Sequence, residues 1–102
     1  MKLYIYAYEG QYGGLHGMYD QDIVEVKDIT EANEIGRDMS EQIIEAYDIE
    51  DDDVFENELF WEVYSISNEY IDLPDEELIA IAVNEGHEYF VENYCDNEIE
   101  VV

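Results

Sequence analysis

Carboxylates are the chemistry this chain has in quantity: 29 Asp and Glu stand against three Lys and Arg in 102 residues. Close carboxylates can share acid and base roles or hold a divalent cation. At this density some pair must lie close by chance, so no pair by itself marks a catalytic dyad. The densest run, DIEDDDVFENE over residues 48–58, fails as a calcium loop. Counted from Asp48, the sixth and twelfth positions are Asp53 and Leu59, where an EF-hand needs Gly and Glu. The soft ligands His16, His87 and Cys95 match no zinc spacing. Neighbouring carboxylates raise a thiol pKa, so Cys95 reads as a half-buried residue at a helix end rather than a nucleophile. Ser40, Ser65 and Ser67 lie in no nucleophile-elbow context. Gly10, Gly13, Gly14 and Gly17 lack the G-x-x-x-x-G-K-[ST] pattern of a phosphate loop and have no Lys or Arg beside them. The expectation is a protein that is not an enzyme, with no catalytic residues, no metal and no cofactor.

What remains is binding by charge. Residues 48–102 hold nineteen acids and no Lys or Arg, while the first 47 hold ten acids with Lys2, Lys27 and Arg37. The formal net charge is −26. A folded chain of this length has a radius of gyration of roughly 13 Å and is about 35 Å across. A duplex carries about one charge per 1.7 Å of axis, hence roughly 20 over that distance. Direct binding to nucleic acid or to an anionic membrane is excluded on these grounds, whereas a cleft of Lys and Arg that normally holds phosphates suits such a chain. Carboxylates meet Arg in the same bidentate fork as phosphates do. Ten Tyr add rigid, amphipathic contact area of the kind found at protein interfaces.

The elements that must position these groups follow from periodicity. Residues 2–9, KLYIYAYE, alternate Leu3, Ile5, Ala7 with Tyr4, Tyr6, Tyr8, a strand with two usable faces. The glycine-rich stretch 10–20 is a long loop to a second strand at 22–26, giving an antiparallel hairpin. Thr30 is the expected cap of an amphipathic helix over 31–47. Gly36 costs that helix propensity, which close packing on the sheet would explain. Residues 48–58 form an acidic loop and 59–66 a third strand. Asp72 as the cap and Pro74 early in the first turn open a second helix running to about Asn84. Gly86 interrupts, a short helix carries Phe90, Val91 and Tyr94, and 98–102 add a short strand. The expected fold is a single α+β domain over residues 1–102. Its small, mostly antiparallel sheet of three or four strands carries two or three helices packed on one face, in the order ββαβαα(β). A 47% hydrophobic composition allows a real core. The single Cys excludes an internal disulfide. The absence of a basic-then-apolar leader gives a cytoplasmic address, that of the host cell if the chain is phage-encoded.

The acidic segments 48–58, 74–77 (PDEE) and 96–100 (DNEIE), interleaved with Tyr and Phe, resemble small acidic phage-encoded proteins that imitate DNA and block host defence nucleases, of the anti-CRISPR and anti-restriction type. The resemblance lies in size and composition and carries no motif. It implies a stoichiometric inhibitor whose acidic surface occupies the basic DNA- or RNA-binding channel of a CRISPR effector or restriction system. The expected contacts are Glu50, Asp51, Asp52, Asp53, Glu56 and Glu58, then Asp75, Glu76 and Glu77, then Asp96, Glu98 and Glu100. Tyr12, His16 and Tyr19 of the glycine-rich loop would add to them. This reading needs a concentrated anionic surface, not carboxylates spread over every face. The alternatives are an acidic adaptor that binds a basic partner without imitating nucleic acid, a metal-binding protein or enzyme, and a structural or salt-adapted protein.

Overall fold

Strand β1, Lys2–Glu9, lies inside the sheet and organises the molecule. The structure is a computed structural model in which residues 1–9, 19–46 and 59–99 are described. The other elements are β2 (Tyr19–Glu25), α1 (Ile29–Ala46), β3 (Leu59–Ile66), α2 (Asp75–Glu85), α3 (His87–Tyr94) and β4 (Cys95–Ile99). The four strands form one antiparallel sheet in the order β2-β1-β3-β4. The α+β class and the element order agree with the sequence expectation. Because β1 separates them, β2 and β3 run parallel, and α1 joins them as a split β-α-β unit. The Cα radius of gyration is 13.6 Å and the principal extents are 44 × 28 × 19 Å.

The helices do not share one face of the sheet, which corrects the expected two-layer arrangement. Leu3, Ile5, Ala7 and Val63 pack with Ala32, Met39 and Ile43 of α1. Tyr4, Ile23, Tyr64 and Ile66 point the other way and pack with Leu78 and Ala82 of α2 and Phe90 of α3. The cause is the strand's twofold period: both alternating sets of β1 are large and apolar enough to demand cover. On the α1 side, Gly36 meets Trp61 so closely that a Cβ there would stand 2.4 Å from the indole Cδ1. Close packing therefore accounts for this helical glycine. Trp61 Nε1 also donates to Asn33 Oδ1 at 3.2 Å.

Element ends differ from expectation for local reasons. Asp28, not Thr30, caps α1: its Oδ1 accepts the Glu31 N–H at 2.9 Å, and Thr30 lies within the first turn. Asp72 does not cap α2. Pro74 takes the N-cap position with φ −58° and ψ 145°, after a turn in which Leu73 N–H donates to Tyr70 O at 3.0 Å. Gly86 has φ +97°, a conformation other residues rarely adopt, and it separates α2 from α3. β4 starts at Cys95, three residues before the expected strand, because α3 ends at Tyr94 directly against the sheet edge. A register shift opposite Tyr64 and Ile66 accommodates it. β2 begins at Tyr19, so Tyr19 and Asp20 belong to the hairpin ladder, with Tyr19 opposite Tyr8, rather than to the loop.

Candidate functional site

The face of the sheet beneath α2 and α3 gathers Tyr4, Tyr6 and Tyr64 around one imidazole. The register sets Gln21, Tyr6 and Glu62 in a row across β2, β1 and β3. His87, the first residue of α3, lies over that row. Its ring stacks on Tyr6 with centroids 3.7 Å apart and planes 17° apart. His87 Nδ1 is 3.1 Å from the Tyr4 hydroxyl oxygen, and that hydroxyl donates to Gln21 Oε1 at 2.6 Å. Nε2 faces Glu62 Oε1 at 3.6 Å, an ion pair whenever the imidazole is protonated. Glu62 also accepts from the hydroxyls of Tyr64 and Tyr8.

Burial governs the titration of this group. It lowers the His87 pKa, opposed by the charge of Glu62. It raises the phenols of Tyr4, Tyr6, Tyr8 and Tyr64 above their usual range, with neighbouring Tyr and Glu62 adding to the shift. At neutral pH the phenols are therefore protonated, and the site is a hydrogen-bonded aromatic network rather than a set of free bases. Cys95 is half-buried at the α3–β4 junction, and burial followed by Asp96 pushes its thiol up to about 12. A thiol so held is a poor nucleophile. Among the described residues no three His, Cys, Asp or Glu are grouped as a metal would require. Among the same residues no helix is long and apolar enough to cross a membrane.

The stack continues outward. Tyr19 packs against Tyr6 at 5.5 Å, Tyr8 against Tyr6 at 5.7 Å, and Tyr19 is 51% exposed. Glu98 lies opposite Tyr64 in the β3–β4 register, on the same side of the sheet. Two of the sequence-predicted contacts, Tyr19 and Glu98, thus share a face with the His87 network. Sequence reasoning missed His87 and Glu62, because only the register and the α3 turn bring them together. The alternation that puts Tyr4, Tyr6 and Tyr8 on one face was the available signal.

The other predicted contacts are placed apart. Asp75, Glu76 and Glu77 form the exposed first turn of α2, where the helix dipole favours acids. Asp75 already pairs with Lys2 Nζ at 2.9 Å, and the same ammonium donates to Leu73 O at 2.6 Å. Asp96 is exposed on β4. Glu50, Asp51, Asp52, Asp53, Glu56, Glu58 and Glu100, with Tyr12 and His16, lie outside the described residues. The described acids do not gather on one face. They line the outside of α1 (Glu34, Asp38, Glu41), the β2 edge (Asp20, Asp22), both other helices and β4. Some have local tasks: Asp20 and Asp22 accept the N–H groups of Gln21 and Ile23 at 2.9 and 2.8 Å, which blunts the β2 edge against strand addition.

No family model matches the chain, and comparison with known proteins and with solved structures gives no match either.

Proposed function

We propose that this protein binds, as a stoichiometric inhibitor, in the basic nucleic-acid channel of another protein, with a host defence nuclease as the target class. The observation that carries this reading is uncompensated charge on a small elongated body. The net charge is −26, the long axis is 44 Å, and a duplex of that length carries about 26 phosphate charges. Two of the three basic side chains are engaged within the chain, Lys2 with Asp75 and Arg37 with Glu41. The described acids are spread over both helical layers, against the concentrated anionic surface this reading was expected to need, so its support is the total charge and not a docking face. Exposed pairs set the association rate and its salt dependence, and desolvated pairs set the lifetime.

The same spread favours a second reading, an acidic adaptor that binds a basic partner without imitating nucleic acid. Capture of a nucleic-acid-binding partner, followed by competition with duplex DNA, separates the two. An inhibitor of this kind and DNA exclude each other on the partner, and charge reversal at Asp51, Asp52 and Asp53 to Lys weakens binding and flattens its salt dependence. A stable ternary complex of protein, partner and DNA overturns the inhibitor reading in favour of the adaptor.

A further inference from the structure

The aromatic stack that begins at His87 ends in solvent, and its end has the chemistry of a cation seat. Helices α2 and α3 cover Tyr4, Ile23, Tyr64 and Ile66. Tyr8 and Tyr19 belong to neither core cluster and face each other across the β1–β2 ladder. Tyr6 links them to His87. Beside these rings stands Glu62, half-buried and hydrogen-bonded to Tyr8 and Tyr64. Aromatic faces are negative at their centres and attract cations. A half-buried carboxylate is screened less by salt than the exposed acids elsewhere.

We propose that Tyr8 and Tyr19, with Glu62, seat an arginine side chain of a basic protein partner. Arginine fits better than lysine because its guanidinium is planar and weakly hydrated. It can lie on a phenol ring while its edge forks to a carboxylate, whereas an ammonium is a compact, strongly hydrated point charge. The hydroxyls and the carboxylate around the rings make the surface unsuited to an aliphatic anchor, and the −26 net charge excludes an anionic one. The proposal rests on the reading that the partner is basic, and it adds which basic side chain the surface selects and where.

The test uses the full chain with two peptides of equal length and charge, one with eight arginines and one with eight lysines in a Gly-Ser background, at fixed ionic strength. The arginine peptide is expected to bind about fivefold more tightly, the size of one partly desolvated cation–π contact. Tyr19→Ala should lower that ratio toward the background preference of the exposed carboxylates for arginine, with the lysine affinity unchanged, while Tyr19→Phe, which keeps the ring, should preserve it. In the unmodified protein, NMR ring resonances of Tyr8 and Tyr19 should move with the arginine peptide and not with the lysine peptide, a readout that does not depend on any variant folding. Equal affinity for the two peptides, or a preference that Tyr19→Ala leaves undiminished, overturns the seat and leaves competition with DNA to stand or fall separately. An arginine preference combined with a ternary complex that includes DNA keeps the seat and overturns the inhibitor reading. Failure to bind either peptide overturns both.

Discussion

Leu3, Ile5 and Ala7 meet α1 in an aliphatic layer, whereas Tyr4 and Tyr6, one residue along the same strand, meet α2 and α3 in a layer that holds an imidazole and a carboxylate. The first face is closed by shape: its closest approach is Gly36 on Trp61. The second is held partly by hydrogen bonds through Tyr4, His87 and Glu62 and extends into solvent at Tyr19. The comparison teaches that one strand can supply a packing surface and a polar aromatic surface together, provided each is covered by a helix of matching character. It also locates functional potential. The α1 layer is closed over aliphatic side chains, while the aromatic layer ends in the exposed ring of Tyr19.

The sharpest way to break this contrast is to remove the anchor of the aromatic layer. Phe90 is fully buried, 4.6 Å from the Tyr4 ring centre. Phe90→Ala is expected to cost about 3–5 kcal/mol in chemical denaturation. A loss as small as that of a surface substitution would mean that α3 does not close this face. Gly36→Ala tests the aliphatic side. The added Cβ meets the indole ring itself, so overpacking exceeds the gain in helix propensity, and a net loss of about 2 kcal/mol is expected. A stabilised variant would show that Trp61 moves freely.

Tyr4→Phe keeps the packing and removes the hydroxyl that joins Gln21 to His87, for an expected loss of about 1 kcal/mol. No loss at all would reduce the network to packing, like the other face. The smallest expected effect is the pH dependence of His87. Burial lowers its folded pKa below the ordinary 6.5, so the unfolded chain takes up this proton first as pH falls. The neutral-His87 contribution is therefore complete above about 6.5 and is lost as pH drops from there through the folded pKa. Measured against His87→Gln, which cancels the common background of the carboxylates, the native protein should lose relative stability on acidification across that window. A relative gain would show that pairing with Glu62 outweighs desolvation.

Much of the fold was legible in the chain, because periodicity is a local property. The twofold alternation of β1, the helical spacing of Ala32, Met39 and Ile43, and the glycine at 86 each act within a few residues. The reason for Gly36 was legible in kind but not in partner, since Trp61 is 25 positions away. Element ends were less legible: Asp28 and Thr30 are both residue types that cap helices, and Asp28 holds the role because the helix begins at Ile29 and the Glu31 N–H lies three residues beyond Asp28. Of the site, Tyr19 and Glu98 were singled out from composition, while His87 and Glu62 were not.

The sequence by itself determined the net charge, the order of the elements and the two-sided character of β1, since these depend only on residue type and spacing. Tertiary structure alone decided that α1 and the α2–α3 pair take opposite faces, and that His87 lies between Tyr4, Tyr6 and Glu62. It also decided that the described acids surround the body rather than line one side. Those outcomes turn on which distant surfaces bury each other, and that choice is made by the free energy of the whole packed chain rather than by any local run of residues.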